Sequence, residues 1–199
     1  MVSPVMEVDP AIDIMVHEGV YAPAEDTWLL LDALEIEDGR MLDMGTGTGV
    51  IGLHAARHGM KVDAVDVSPA AVDNARANAC RNDIDIGVTR SDLFTGVDKR
   101  YDVIAFNPPY LPARDGDIRW DGGPNGIMVA RRFLDQADGH LAQNGRIFLL
   151  LSSLGDISGL LQDFRERYRF ERKRRLALFF ERLTVYEVTR RDSGRAPMW

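Results

Sequence analysis

Thiols are nearly missing from this sequence: Cys80 is the one cysteine among 199 residues, which excludes an internal disulfide and fits a reducing compartment. Long apolar runs are missing too. Stretches such as Ile147-Phe-Leu-Leu-Leu151 fall far short of the roughly 20 apolar residues that a membrane-spanning helix needs. The opening MVSPVMEVDP lacks the basic-then-apolar pattern of a secretory signal, so a cytoplasmic location without membrane contact is expected. There is no internal repeat and no low-complexity linker. A composition that is 45% hydrophobic and 28% charged describes one globular unit with enough apolar residues for a sizeable core.

Positive charge is scarce over most of the chain. The formal net charge is −7; residues 151–199 carry 11 Lys/Arg against 7 Asp/Glu, which leaves 13 against 24 for residues 1–150. The basic excess is concentrated in Arg165 to Arg175, RERYRFERKRR. Such a run can form a patch for RNA or for an acidic partner. Glu166 and Glu171 interrupt it, which favours a solvated helix end leading into an outer strand.

The apolar pattern alternates between helix and strand. Trp28, Leu29, Leu31 and Leu34, after Pro23, predict an amphipathic helix over Ala24–Ile36. Strands are expected at Arg40–Met44, Lys61–Val67, Ile84–Arg90, Tyr101–Phe106 and Gly145–Ser152, with helices at Val50–His58, Pro69–Asn82, Ile127–Ala142 and Ile157–Tyr168. Ser68 is placed to cap the second of these helices, with Pro69 in its first turn. Arg169–Leu176 and Arg182–Arg190 follow as two strands joined by a turn. This order predicts an α/β fold, a parallel sheet covered by helices on both faces with an antiparallel pair at its end.

The first strand runs into Asp43-Met-Gly-Thr-Gly-Thr-Gly49 and then a helix. Closely spaced glycines let the backbone turn sharply and approach a ligand, and the helix start beyond them offers free N–H groups. Two motifs overlap here. Gly45, Gly47 and Gly49 give GxGxG, common in S-adenosylmethionine sites, whereas Gly47, Gly49 and Gly52 satisfy the GxGxxG of dinucleotide folds. Asp66, ending the second strand, suits the two ribose hydroxyls of either cofactor. Asp92 after the third strand can bind an adenine amino group, with Leu93 covering the ring; a turn residue is the alternative there.

FNPPYLP, residues 106–112, holds two consecutive prolines that neither continue a helix nor donate to a sheet. Asn107 before them is pushed toward extended backbone, and each proline fixes its own φ. With no proline N–H to compete, the side-chain oxygen of Asn107 and the carbonyls around Asn107 and Pro108 form a stiff set of acceptors. A planar NH2 group held by two acceptors directs its lone pair out of the plane, which suits attack on a methyl group about 3 to 3.5 Å away. The acceptors also stabilise positive charge developing on nitrogen. Pro109 completes the turn and Tyr110 is placed to pack against the flat group.

Other chemistries find less support. His54 and His58 lie four apart on a helix but have no acidic or cysteine ligand beside them, so a surface or packing pair is expected and no metal site. Nothing near Cys80 resembles the base of a nucleophile.

DMGTGTG, Asp66, Ser91-Asp92-Leu93-Phe94 and NPPY, in this order, resemble a class I S-adenosylmethionine-dependent methyltransferase of the NPPY subgroup. Val20-Tyr-Ala-Pro-Ala-Glu-Asp-Thr27 and Trp120-Asp-Gly-Gly-Pro-Asn-Gly126 sharpen the likeness to HemK-type glutamine methyltransferases of release factors, in their short archaeal and eukaryotic branch without an amino-terminal helical domain. The resemblance implies a Rossmann-like, mostly parallel seven-stranded sheet in a single domain over 1–199, with a cofactor-covering segment of about 1–36 before a core of about 37–199. It implies cofactor contacts at Thr27, Asp43, Gly45, Asp66, Asp92, Leu93 and Asn107, with Tyr21, Thr46, Gly47 and Gly49 inside the matching motifs. Asn107 and Pro108 match the family's amide-binding acceptors. Asp43 departs slightly, since the eukaryotic branch often has glutamate there; either carboxylate can take the methionine ammonium. The implied substrate is the glutamine of a Gly-Gly-Gln tripeptide in a release factor. A small zinc-ribbon activator is the implied partner, at the edge made by the third strand, where the alternation of Ile84, Ile86 and Val88 fits a half-exposed face and ordinary core packing equally well.

NPPY also occurs in enzymes that methylate the exocyclic nitrogen of adenine or guanine. DNA enzymes of that kind need a region to read and extrude a base, for which this chain has no room. A structured RNA is the remaining nucleic-acid alternative. A nicotinamide-dependent dehydrogenase leaves NPPY and the YxPxEDT segment unexplained, and a non-catalytic binding module leaves the intact acceptors unexplained.

Overall fold

A computed structural model describes residues 6–35, 38–110 and 127–191. Its strands are β1 (Arg40–Met44), β2 (Lys61–Asp66), β3 (Gly87–Arg90), β4 (Tyr101–Phe106), β5 (Leu141–Ser152), β6 (Tyr168–Ala177) and β7 (Arg182–Arg190). They form one seven-stranded sheet in the order β3-β2-β1-β4-β5-β7-β6. Neighbours from β3 to β5 are parallel, and β7 runs antiparallel to both β5 and β6. The Rossmann-like sheet with its closing antiparallel pair is therefore the expected one.

Alternation along the central strands divides the core between the sheet's two faces. Leu42, Ile104, Phe106, Ile147 and Leu149 turn to one side, where they meet Phe133 and Leu134 of α4 (Met128–Ala137) and Leu160 of α5 (Ile157–Phe164). Met41, Val103, Ala105 and Phe148 turn to the other, against Leu30 and Leu31 of α1 (Glu25–Ala33) and Ile51 and Leu53 of α2 (Val50–Arg57). Strands buried on both faces are read as continuous apolar runs for this reason. The remaining helix, α3 (Pro69–Arg81), starts as expected: Ser68 Oγ accepts from Ala71 N–H at 3.4 Å with Pro69 in the first turn.

Most element ends agree with expectation to within one residue, and four places differ by more. α4 stops at Ala137, and a 3-10 turn at Asp138–His140 leads into β5, which begins at Leu141. α5 ends at Phe164 and Tyr168 already belongs to β6. α1 ends at Ala33; Ile36, expected as its last residue, lies outside the described residues. β3 begins only at Gly87, and the alternating Ile84, Ile86 and Val88 pack inward against the core. That apolar alternation is core packing; Asp83, Asp85, Gly87, Thr89 and Arg90 are the exposed residues from Asp83 to the end of this edge.

The basic run meets the bland expectation for most of its length. Lys173 bridges Glu35 and Glu187 at 2.8 and 2.9 Å, Arg174 reaches Asp32 at 2.7 Å, and Arg165 reaches Glu166 at 3.1 Å. Charge on an edge strand also discourages pairing with another chain.

One feature has no counterpart in the periodicity. Asn74 and Asn78 on one face of α3, and Asn82 at its C-cap, follow one another at four-residue spacing. Their Oδ1 atoms accept from the backbone N–H groups of His17, Met15 and Asp13 at 2.9, 2.9 and 2.7 Å. Their amide groups donate back, Asn74 and Asn78 to Met15 O and Asn82 to Asp13 O. The helix face thus stands in for a neighbouring strand and carries the chain toward Gly19, Val20 and Tyr21.

Candidate functional site

Open parallel sheets bind ligands beyond the carboxyl ends of their strands where chain order reverses. Here β1 and β4 are the innermost such pair, and a cleft of about 820 Å³ opens beyond them. That is within the range of roughly 300–1,000 Å³ found for small-molecule sites.

Its first half is the loop after β1. Gly45, Gly47 and Gly49 all have positive φ. Gly49 at φ 85° precedes α2, and a Cβ there would sit 3.1 Å from the Ala75 side chain, so glycine lets α2 start against α3. Gly52 allows a further close approach: its N–H donates to Asp43 Oδ2 at 3.0 Å, and a Cβ would meet that same oxygen at 3.2 Å. Asp43 Oδ2 also accepts from Thr46 Oγ1 at 2.6 Å. Asp66 closes the loop from β2, with Oδ2 accepting from Gly47 N–H at 3.0 Å and Oδ1 from Ser68 N–H at 2.9 Å. Burial pushes the Asp43 carboxyl up to about 6 despite the Thr46 and Gly52 bonds, and the Asp66 charge adds to the rise. Burial raises Asp66 as well.

Asp92 and Leu93 border the same half. Leu93 is held at φ 50°, a left-handed conformation that costs about 1–2 kcal/mol for a residue with a Cβ. Ser91 Oγ donates to Leu93 O at 2.8 Å and reaches Thr95 O, which stitches this turn together. Asp92 is exposed and accepts from Arg132 Nη2 at 2.8 Å.

The second half joins β4 to the start of α1. Asn107, Pro108, Pro109 and Tyr110 all line the cleft, as do Tyr21 and Thr27. At their centre is Asp26, 3% exposed. Asp26 Oδ1 accepts from Tyr21 Oη at 2.8 Å, from Thr27 N–H at 2.6 Å and from Thr27 Oγ1 at 3.2 Å. Oδ2 accepts from Asn107 Nδ2 at 2.9 Å and from Tyr110 Oη at 3.1 Å. Burial together with the Asp26 charge pushes both tyrosine hydroxyls well above the ordinary phenol range. Asn107 Oδ1 is buried and has no hydrogen-bond partner among the described residues.

The structure thus gathers nearly the whole expected set at one cleft: Asn107, Pro108, Pro109, Tyr110, Tyr21, Thr27, Asp43, Gly45, Thr46, Gly47, Asp66, Asp92 and Leu93. Gly49 stands apart, behind the lining, as the residue where α2 meets α3. The loop from Leu111 to Gly126, expected to help choose the substrate, lies outside the described residues. Asp26 and Arg132 were missed. Acidic residues in a first helical turn are common dipole partners, so Asp26 carried no separate signal. His54 is a packing residue, with Nδ1 donating to Val50 O at 2.8 Å, and burial lowers its pKa.

A family model described as the methyltransferase small domain matches residues 11–178. A Methanocaldococcus jannaschii protein, provisionally named a protein N5-glutamine methyltransferase, is 34% identical over 196 residues, covering 94% of this chain and 99% of that one. The release factor glutamine methyltransferase of Deinococcus radiodurans is 37% identical over 144 residues, 64% of this chain but 52% of the relative, so the chain spans about half of that protein. Among solved structures, the E. cuniculi Mtq2–Trm112 complex, described as responsible for methylating the translation termination factor eRF1, aligns with a TM-score of 0.73 at 28% identity, covering 87% of this chain and 99% of its counterpart. The T. thermophilus 16S rRNA methyltransferase RsmC, bound to S-adenosylmethionine and guanosine, shares the fold with a TM-score of 0.67 at 23% identity, covering 85% of this chain and 44% of that one.

Proposed function

The chain belongs to the methyltransferase small domain family, and on that premise we propose that it methylates the side-chain amide nitrogen of the glutamine in a Gly-Gly-Gln segment of a peptide chain release factor. The observation that carries this reading is Asn107 Oδ1, a buried acceptor without a partner beside a cleft. Such an atom costs about 1–3 kcal/mol unless something donates to it, and a planar NH2 group is a donor of the right kind. The names of the M. jannaschii, D. radiodurans and E. cuniculi proteins favour an amide over a nucleobase.

S-adenosylmethionine is the proposed cofactor, and the donor set fits it. Asp66 suits the ribose hydroxyls, Asp92 and Leu93 the adenine, and Asp43 the methionine ammonium, whose charge would favour the ionised form that burial disfavours. Gly45, Thr46 and Gly47 offer close backbone approach, and Tyr21 and Thr27, tied to Asp26, would hold the cofactor on the side of the cleft nearest Asn107. When bound, the cofactor supplies an electrophilic methyl group. The protein's part is positional and electrostatic. Asn107 Oδ1, with the carbonyl of Asn107 or Pro108, holds the two amide hydrogens and leaves the lone pair free, while the same oxygens stabilise positive charge appearing on nitrogen.

A release factor substrate implies a cytoplasmic site of action, and among the described residues no helix is long and apolar enough to cross a membrane. A small zinc-ribbon activator is the proposed partner; its support is the likeness to the Mtq2–Trm112 complex, since the alternation of Ile84, Ile86 and Val88 is accounted for by the core. The deciding assay supplies labelled S-adenosylmethionine with a Gly-Gly-Gln release factor, its Gln→Ala variant and transfer RNA, with and without such a partner. Label on the release factor and none on its variant is expected; label on RNA alone would overturn the reading.

A further inference from the structure

The geometry assigns Asp26 as the positioning residue that sets which face of the Asn107 amide the substrate meets, an inference resting on the reading of Asn107 as the amide acceptor. A side-chain amide is nearly symmetric in shape and can present either its oxygen or its NH2. A carboxylate breaks that symmetry because it only accepts. With Asp26 Oδ2 2.9 Å from Asn107 Nδ2, the NH2 is committed to Asp26, and Oδ1 is left as the atom without a partner. Turned over, the amide would set its oxygen against a carboxylate oxygen and offer the incoming NH2 a second NH2.

The same carboxylate secures the far end of the proline turn. Tyr110 donates to Asp26 Oδ2 at 3.1 Å, so residues 107 and 110 are both tied to the first turn of α1 with Pro108 and Pro109 between them. Oδ1 is in turn occupied by Tyr21, Thr27 N–H and Thr27 Oγ1. A carboxylate saturated from both sides has little freedom to swing, and that stiffness passes to Asn107. A misplacement of 1 Å at a reacting centre can cost about 100-fold in rate.

A reciprocal exchange tests the pairing. Asp26→Asn removes the bias on Asn107, and Asn107→Asp sets two carboxylates face to face; each is expected to lower kcat by about tenfold or more, with cofactor dissociation constants by calorimetry changing by much less than kcat. In the double variant the amide at position 26 donates to one oxygen at position 107 and leaves the other as the acceptor, so kcat is expected to rise above both single variants. A double variant no better than the worse single one, with cofactor binding retained, overturns the assignment, because two merely structural losses would add. A second measurement needs no substrate: hydrogen exchange of the Asn107 side-chain NH2, followed by nuclear magnetic resonance, is expected to speed up about tenfold or more in Asp26→Ala. Unchanged exchange overturns the assignment as well. Failure of the wild-type protein to label glutamine overturns the substrate reading alone, and the exchange measurement still decides the role of Asp26.

Discussion

In the glycine-loop half of the cleft, Asp43 reaches Thr46 and Gly52, three and nine residues further on, and Asp66 reaches Gly47 across 19. In the acceptor half, Asp26 meets Asn107 and Tyr110 from 81 and 84 residues away. One half is assembled by a strand and the turn that follows it. The other exists only after α1 has docked on the finished sheet. The loop contacts lie within or close to one stretch, whereas Asp26 and Asn107 stand in two separate motifs whose meeting appears only in the fold.

The sharpest way to break this comparison is to remove the acceptor. Asn107→Ala is expected to reduce turnover by about 100- to 1,000-fold or more while cofactor affinity changes little; single-turnover rates beside calorimetry separate the two, and unchanged turnover would refute the account of NPPY. In the opposite half, Asp66→Ala is expected to weaken S-adenosylmethionine binding by about 10- to 100-fold, the usual worth of hydrogen bonds to a charged group, and a wild-type dissociation constant would remove its ribose role. A variant outside both halves tests how they are joined. Asn78 is fully buried and bonds Met15 N–H, Met15 O and Thr48 O; Asn78→Ala is expected to cost about 2–3 kcal/mol in chemical denaturation, with faster amide exchange at Met15. The smallest effect concerns pH. Because the Asp43 carboxyl is raised to about 6, it is mainly protonated below that value and charged above it, so affinity for a cationic ammonium is expected to rise up to about tenfold from pH 5 to 7. A flat profile in wild type, or the same slope in Asp43→Asn, would show that another group is responsible.

Legibility in the sequence cut across these two halves. The glycine loop, Asp66 and the proline turn stand in contiguous stretches whose backbone demands are visible residue by residue, and the helix–strand order gave the sheet because most elements have clear periods. Asp26 stands beside Thr27 in the same stretch, but nothing in a linear pattern says which acidic residue of a first turn will find an amide some 80 positions later. The third strand shows one pattern with two causes. Ile84, Ile86 and Val88 alternate as an edge strand should, but only Gly87 to Arg90 pair with β2; burial and pairing make the same pattern by different causes. Asparagines at four-residue spacing carry no apolar period at all, which is why the ladder on α3 was invisible.

That ladder also imposes an order in time. Asp13, Met15 and His17 are synthesised first, yet their partners on α3 lie 69, 63 and 57 residues later, and the three asparagines align only once α3 is helical. Contacts of such separation form late, after the loop between them has been closed. A chain ending before Asn74 would lack all three asparagines and leave the backbone N–H groups of Asp13, Met15 and His17 without these acceptors.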